Sequence, residues 1–213
     1  MEQSNSIIRS MESKHKQLVI LRCKLVIVGD SCVGKTAITQ VFQSGGSTYP
    51  KNYLMTVGAE FCVKQVPIPN TNTIIELYIF DCAGQSIFNQ LEMNTKYYEN
   101  ASAVMVVYDI SKPDTLKSCA KWISGVRGTR PSGPQILGLM VGNKCEFRED
   151  ITDSRAEVNK DDAKKLATEL GVLYYEVSAA NNINIEEPFK RIAEEFYNRY
   201  EETTSRSEEN FTF

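Results

Sequence analysis

Residues 29–36 combine glycines, a lysine and a threonine at the spacing of a phosphate-binding loop. They match the pattern G-x-x-x-x-G-K-S/T, with Gly29, Gly34, Lys35 and Thr36 at its fixed positions. Glycines let backbone N–H groups close around phosphate oxygens, the lysine brings a cation to the outer phosphates, and the threonine hydroxyl can ligate Mg²⁺. The pattern predicts a nucleoside triphosphate as the ligand. The alternative is a glycine-rich turn that binds nothing.

The elements on either side of this loop support the same prediction. An apolar run over 24–28 predicts a buried strand before the loop, and the spacing of Ile38, Val41 and Phe42 predicts a helix over 34–43 after it. The positive end of that helix would point at a bound anion.

The rest of the chain alternates strand and helix patterns, which is typical of an α/β fold with a mainly parallel sheet. Strands are predicted over 24–28, 60–66, 74–80, 103–108, 136–141 and 173–177. Helices are predicted over 34–43, 87–98, 115–127, 161–170 and 185–200. The link between the second and third strands contains prolines and asparagines and is too short for a crossover helix, so these strands are expected to form an antiparallel hairpin at one edge.

Polar residues follow several of the predicted strands, where ligands bind in open parallel sheets. Residues 81–85 read Asp-Cys-Ala-Gly-Gln, residues 143–146 read Asn-Lys-Cys-Glu, and residues 176–179 read Glu-Val-Ser-Ala. In the first of these, Asp81 can face a metal ion, the Gly84 N–H can approach a terminal phosphate, and Gln85 can orient water.

Together with the loop at 29–36, these motifs resemble the Ras-like small GTPases, and within them the Rab branch, over residues 21–200. The resemblance implies a Ras-like P-loop NTPase fold: a mostly parallel six-stranded sheet with one antiparallel edge strand and helices on both faces. It also implies binding of GTP and GDP with Mg²⁺, and GTP hydrolysis.

The resemblance assigns roles to individual residues. Asn143 and Glu146 would read the guanine edge, Lys144 would pack over the ring, and the backbone at 178–179 would face the base oxygen. A carboxylate suits guanine because it accepts hydrogen bonds from both the ring N–H and the exocyclic amine, which adenine does not offer together. The implied nucleotide-binding set is Gly29, Asp30, Ser31, Cys32, Val33, Gly34, Lys35, Thr36, Ala37, Tyr49, Thr56, Gly84, Asn143, Lys144, Glu146, Ser178, Ala179 and Ala180. The implied Mg²⁺ ligands are Thr36, Thr56 and Asp81, and the implied catalytic residues are Gln85 and Lys35.

Three positions depart from the Rab pattern. Glu146 stands where the family usually has Asp, so its extra methylene either weakens guanine binding or shifts the loop. Phe80 replaces the usual tryptophan and Ser86 replaces the usual acidic residue beside Gln85. Binding to ordinary Rab partners therefore does not follow from the resemblance.

Segments 49–58, 63–71 and 76–81 resemble the intraflagellar transport protein 27 family of Rab-like proteins. This resemblance implies a subunit of the intraflagellar transport complex B, located in the cytoplasm and the cilium or flagellum. It implies pairing with a small β-sandwich subunit, intraflagellar transport protein 25, and contact with other complex B subunits.

Composition limits the other functions. With 24 basic and 27 acidic residues the net charge is −3, so nucleic acid is not an expected partner. The six cysteines form no C-x-x-C pair and sit mostly in apolar runs, which favours reduced thiols. Cys32 is expected to be a small filler in the loop, with a reactive thiol as the alternative. No cysteine follows Cys145, so no lipid anchor is expected, and no apolar signal segment is expected in the first twenty residues.

We therefore expect a flexible arm over 1–20, a GTPase domain over 21–202 and a polar, disordered tail over 203–213. Hydrolysis should be slow, because Lys51 is the only cation between Tyr49 and Thr56 and no arginine there can assist. The alternative function is a structural adaptor that keeps guanine nucleotide without cycling. An ATP-dependent kinase would need a different base-reading motif. Tyr197 and Tyr200 are expected beside the apolar stripe of the last helix, where they could join a partner contact.

Overall fold

The computed structural model describes residues 17–50, 52, 54–84, 96–132, 135–148 and 155–210, with side chains to residue 206. In these ranges the chain forms a single six-stranded sheet with the order β2-β3-β1-β4-β5-β6. All neighbouring strands are parallel except β2 and β3, which are antiparallel. The fold is the predicted one, with the antiparallel hairpin at the edge of a parallel sheet.

The strands coincide closely with the predicted apolar runs. They are β1 (Val19–Val28), β2 (Ala59–Pro67), β3 (Thr73–Cys82), β4 (Ala103–Asp109), β5 (Leu137–Asn143) and β6 (Leu173–Val177). The largest difference is at the start of β1, which includes two residues assigned to the flexible arm. Val19 lies opposite Thr73 in the register with β3, so pairing with that strand orders the chain from this point.

Within the described ranges three helices connect strands and a fourth follows β6. They are α1 (Lys35–Gln43), α2 (Pro113–Gly128), α3 (Lys160–Glu169) and α4 (Glu186–Asn210), and a 3-10 turn spans Cys145–Arg148. The predicted helix over 87–98 lies mostly outside the described residues. No described helix is long and apolar enough to cross a membrane.

The carboxyl-terminal helix corrects two predictions. It continues to Asn210, so the prediction of a helix end at residue 200 is wrong, and residues 203–210 of the expected disordered tail are helical. The segment has no proline or glycine, and its glutamates and arginine are good helix formers, so nothing in it stops the helix. Tyr197 packs against the core, whereas Tyr200 is exposed as expected. Residues 211–213 lie outside the described part of the chain.

Each face of the sheet carries its own apolar core. One core joins α1 and α4 to the sheet, with the ring of Phe42 stacked on Phe189 at 3.8 Å between centroids. The other joins α2 and α3 to the opposite face through residues such as Trp122, Ile123 and Ala163. The helices on both faces hold the carboxyl ends of β1, β3, β5 and β6 in one fixed arrangement.

We expect Phe189→Ala to lower the free energy of unfolding by about 3–5 kcal/mol, because it removes a fully buried ring and its stacked partner contact. Urea unfolding followed by circular dichroism measures the change. Tyr200→Ala on the same helix is the control, since Tyr200 is 40% exposed and its loss should change stability by under about 0.5 kcal/mol. A loss below about 1 kcal/mol for Phe189→Ala would contradict this packing.

Candidate nucleotide-binding site

The predicted phosphate loop connects the end of β1 to the first turn of α1. Gly34 is the N-cap residue of α1 and has a φ of 99°, a left-handed conformation that glycine adopts without strain. A Cβ at this position would lie 2.1 Å from the Asn143 side-chain nitrogen. Glycine is therefore needed both for the turn and for the approach of β5, and the α1 N–H groups remain available to an anion.

A cavity of about 550 Å³ lies beside this loop, at the carboxyl edge of the parallel strands. This size suits a small organic ligand. It is lined by Ser31, Cys32, Gly34, Lys35, Thr36, Ala37, Tyr49, Pro50, Asn52, Leu54, Met55, Thr56, Gly84, Asn143, Lys144, Glu146, Phe147, Ala179 and Ala180. Segments far apart in the sequence thus meet at one cavity, as the four motifs predicted.

Lys35 places a buried ammonium group at one end of the cavity. Its Nζ donates hydrogen bonds to the backbone oxygens of Gly29 at 3.0 Å and Asp30 at 2.9 Å. Burial lowers the pKa of Lys35, and the nearby Asp81 carboxylate opposes part of that shift. A Cβ on Gly84 would lie 2.6 Å from the backbone oxygen of Asp30 and 2.5 Å from Nζ, so glycine lets the loop after β3 approach the phosphate loop and its lysine this closely. These contacts hold a cation where phosphate oxygens would be bound.

The three predicted metal ligands lie together next to Lys35. Thr36 Oγ1 donates to Asp81 Oδ2 at 2.5 Å and lies 3.1 Å from Thr56 Oγ1. Burial raises the pKa of the Asp81 carboxyl to about 6, although the hydrogen bond from Thr36 and the charge of Lys35 act in the opposite direction.

The second carboxylate oxygen of Asp81 indicates whether these three residues suit a cation. Asp81 is 1% exposed, and its Oδ1 has no hydrogen-bond partner among the described residues. A buried, unpartnered carboxylate oxygen is costly unless a cation or donor compensates for it. Two hydroxyls and one carboxylate are hard oxygen ligands of the kind that Mg²⁺ takes beside substrate phosphates. The residues present therefore fit Mg²⁺.

The opposite end of the cavity carries the predicted base-reading residues. The Asn143 side chain donates to Val33 O at 2.8 Å and accepts from the Ala179 N–H at 3.2 Å. Asn143 is 3% exposed, and its two hydrogen bonds tie the phosphate loop, β5 and the loop after β6 together. Glu146 lies in the 3-10 turn after β5, and its Oε2 is buried without a hydrogen-bond partner among the described residues. Glu146 thus provides an unpaired acceptor on the cavity wall.

Lys144 is fixed by a residue that sequence reasoning did not identify. Its Nζ contacts Asp109 Oδ2 at 2.5 Å, and Asp109, at the end of β4, is fully buried. Burial would raise the pKa of Asp109, but hydrogen bonds from Lys144 and Ser111 outweigh that effect and hold it below its usual value. The ion pair directs the lysine stem along the cavity wall, where it can cover a flat ring.

Trp122 is a core residue that also supports the phosphate loop. It is 7% exposed and lies in the core beneath α2, yet its Nε1 donates to Asp30 Oδ1 at 2.7 Å. The indole therefore anchors a phosphate-loop side chain. Cys32 was expected to be a small filler within the phosphate loop. Instead it is exposed on the cavity wall, with its backbone in a left-handed conformation.

The structure brings most of the predicted nucleotide-binding residues to the cavity wall. Gly29, Asp30, Val33 and Ser178 lie behind it, where they form the loops rather than the wall. Gln85 lies outside the described residues, so its role stays a prediction. The lining residues that sequence reasoning missed are Pro50, Asn52, Leu54, Met55 and Phe147. All of them are close in sequence to the predicted Tyr49, Thr56 or Glu146, which is the signal that could have identified them.

Comparison with known proteins agrees with this geometry. The Ras family profile matches residues 24–198. The chain is 37% identical over 185 residues to the intraflagellar transport protein 27 homolog of Mus musculus, covering 87% of this chain and 95% of that protein. It is 34% identical over 184 residues to intraflagellar transport protein 27 of Chlamydomonas reinhardtii, covering 85% and 87% of the two chains. It is also 33% identical over 190 residues to Ras-related protein Rab-1C of Dictyostelium discoideum, covering 89% and 87%. The chain therefore belongs to the Ras family of small GTPases and, within it, to the Rab-like intraflagellar transport protein 27 family.

Proposed function

We propose that this protein binds GTP and GDP together with Mg²⁺ and hydrolyses GTP slowly. The observation that carries the proposal is the pair of unpartnered, buried carboxylate oxygens at the two ends of the site, Asp81 Oδ1 beside the phosphate loop and Glu146 Oε2 in the base-reading turn. The first suits a divalent cation and the second suits the N–H groups of guanine. A guanine nucleotide with Mg²⁺ satisfies both.

In hydrolysis, the residues of the phosphate loop stabilise the charge that develops on the transferred phosphoryl group. The Lys35 ammonium and the N–H groups at the start of α1 provide this stabilisation. Mg²⁺, held by Thr36, Thr56 and Asp81, supplies further positive charge to the phosphate oxygens when bound. Gln85 is proposed to orient the attacking water. Because no arginine occurs between Tyr49 and Thr56 to assist, turnover by the protein alone is slow.

The nucleotide carried by the purified protein tests this binding proposal directly. Denaturing the protein and separating the released nucleotides by ion-exchange chromatography should yield GDP or GTP in near-stoichiometric amount. Recovery of adenine nucleotides at that level would overturn the guanine assignment.

Gln85→Leu is expected to slow single-turnover GTP hydrolysis by at least about tenfold while leaving GTP affinity nearly unchanged, because water orientation matters in the transition state and not in the ground state. The measurement is GDP formation from protein preloaded with radiolabelled GTP. Gln65→Leu is the control, since Gln65 lies on β2 and is hydrogen-bonded to Glu76 away from the cavity. An unaltered hydrolysis rate in Gln85→Leu would favour the alternative function, an adaptor that retains guanine nucleotide without cycling.

We also propose that this GTPase acts in the cytoplasm and the cilium or flagellum as a subunit of the intraflagellar transport complex B. The support is its similarity to relatives named intraflagellar transport protein 27 over most of both chains. Its proposed partners are the small β-sandwich subunit, intraflagellar transport protein 25, and other complex B subunits.

Pairing with the β-sandwich subunit is expected to give a one-to-one complex that elutes as a single peak from a size-exclusion column. Mass photometry or light scattering on that peak measures the stoichiometry. A Rab protein of the secretory pathway mixed with the same subunit is the control, and it should elute separately. Separate elution of this chain would contradict the proposed partnership.

A further inference from the structure

A partly buried polar network lies beside the turn that carries Glu146, and none of its members lines the cavity. It consists of Arg148, Glu176, Tyr174 and Tyr108, which come from the 3-10 turn after β5, from β6 and from β4. We call it the Arg148–Glu176 network. Glu176 opens the motif at 176–179, whereas Arg148, Tyr174 and Tyr108 belong to none of the motifs that identified the site.

The central contact is a two-pronged ion pair. Arg148 Nε donates to the Glu176 carboxylate oxygens at 3.0 and 3.1 Å, and Nη2 donates to Oε1 at 2.7 Å. The Tyr174 hydroxyl donates to the same Oε1 at 2.6 Å and lies 3.1 Å from the Tyr108 hydroxyl. Paired Arg–carboxylate contacts fix orientation as well as distance, so this network sets the geometry between the turn and β6.

The carboxylate at the centre is buried and charged. The Glu176 side chain is 7% exposed. Burial would raise its pKa, but hydrogen bonds from Arg148 and Tyr174 outweigh that effect and place the pKa below its usual value. A second cation, Lys160 Nζ, lies 3.4 Å from Oε2 and is half-exposed. The pair therefore persists across neutral pH.

The network joins the two loops of the base-reading end. Arg148 is the last residue of the turn that contains Glu146, and Glu176 lies two residues before Ser178, at the loop whose Ala179 N–H is bonded to Asn143. Arg148 Nη2 also donates to Val158 O at 2.9 Å, which secures the turn to the segment before α3. Loss of the arginine would release one end of the turn from both neighbours.

A four-residue 3-10 turn has poor hydrogen-bond geometry and depends on outside contacts for a defined position. Glu146 projects from this turn, and its side chain has one more rotatable bond than that of aspartate. The position of its carboxylate therefore depends on how firmly the turn itself is held. We propose that Arg148 is a positioning residue that holds the Glu146 turn against the loop at 178–180 and thereby sets the rate of guanine nucleotide release. This inference rests on the proposed binding of guanine nucleotide.

The test compares release of GDP with release of inosine diphosphate, which lacks only the exocyclic amine of guanine. We expect Arg148→Gln to accelerate GDP release about tenfold or more and to accelerate release of inosine diphosphate less. The reason is that the Glu146 carboxylate can accept from the ring N–H and the exocyclic amine of guanine, but only from the ring N–H in inosine diphosphate. Release is followed with radiolabelled nucleotide on the folded, loaded protein after addition of excess unlabelled GDP. Arg148→Lys should give an intermediate rate, since it keeps the charge and loses the paired geometry.

Two further variants separate positioning from general loss of structure. The double variant Arg148→Gln with Glu176→Gln leaves no unpaired buried charge, so it should fold while still losing the ion pair, and it should accelerate GDP release in the same way. Lys160→Gln removes a charge beside the same carboxylate without touching the turn, and its GDP release should stay within about twofold of the wild-type rate.

The possible outcomes distinguish the inference from the proposed function. If the wild-type protein binds neither diphosphate, the proposed function fails, and this inference fails with it. If the wild-type protein retains GDP, but the Arg148 variants release it at the wild-type rate or release both nucleotides faster by the same factor, only the positioning role is overturned.

Discussion

Lys35→Ala is expected to weaken GDP and GTP binding about 30-fold or more. Lys35 is 6% exposed and its ammonium is held by two backbone oxygens of the phosphate loop, so its charge is already desolvated and fixed at the end of the cavity where phosphates are proposed to bind. Losing one partner of a buried, charge-assisted contact costs about 2–5 kcal/mol, or about 30-fold to several thousandfold in affinity. Isothermal titration calorimetry with GDP and Mg²⁺ on protein stripped of nucleotide measures this change.

Lys164→Ala is the matched control for the loss of one positive charge. Lys164 lies on α3, is half-exposed, and pairs only loosely with Asp161 at 3.7 Å. Its loss should leave GDP affinity within about twofold, because exposed charges far from the site are screened by salt. GDP affinity of Lys35→Ala within about threefold of wild type, in a protein with an unchanged circular dichroism spectrum, would contradict the assignment of Lys35 to the phosphates.

Glu146→Gln is expected to remove most of the preference for GDP over ADP. The substitution keeps the shape of the side chain but replaces an acceptor oxygen with a donor NH₂ group, which opposes the two N–H donors of guanine. A site left with mismatched buried polar groups loses about two orders of magnitude or more in discrimination. We expect GDP affinity to fall about a hundredfold while ADP affinity changes little, measured by competition against a fluorescent nucleotide.

Glu169→Gln makes the same chemical change at an exposed position near the end of α3 and should leave both affinities unchanged. Equal loss of GDP and ADP affinity in Glu146→Gln would show that Glu146 supports the loop without reading the base.

Much of the fold could be predicted because the buried strands are nearly continuous apolar runs. β4 is buried along its full length, and its sequence has no alternation that would suggest an exposed face. The boundaries were harder to predict where the chain is polar or short. α4 continues through a glutamate-rich segment that resembles a disordered tail in composition, and β1 begins at Val19 because β3 pairs with it there. Composition does not report pairing between distant residues.

Part of the candidate site could likewise be predicted from the sequence, and part could not. Its motifs contain many of the residues that line the cavity, since phosphate and base recognition require particular residue types at particular spacings. The residues that hold those motifs in place follow no local pattern. Trp122 reaches Asp30 across 92 positions of the sequence, and Asp109 reaches Lys144 across 35. Such contacts depend on the packing of helices and strands, and a single sequence does not specify them in advance.

The central claim is that one cavity recognises guanine nucleotide, with Lys35 at the phosphates and Glu146 at the base. Displacement of radiolabelled GDP by unlabelled GTP and ATP, measured on the wild-type protein with Mg²⁺, tests it most directly. We predict that GTP displaces the label at concentrations near that of the protein, whereas ATP fails to do so even at a hundredfold excess. Equal displacement by the two nucleotides would contradict the claim.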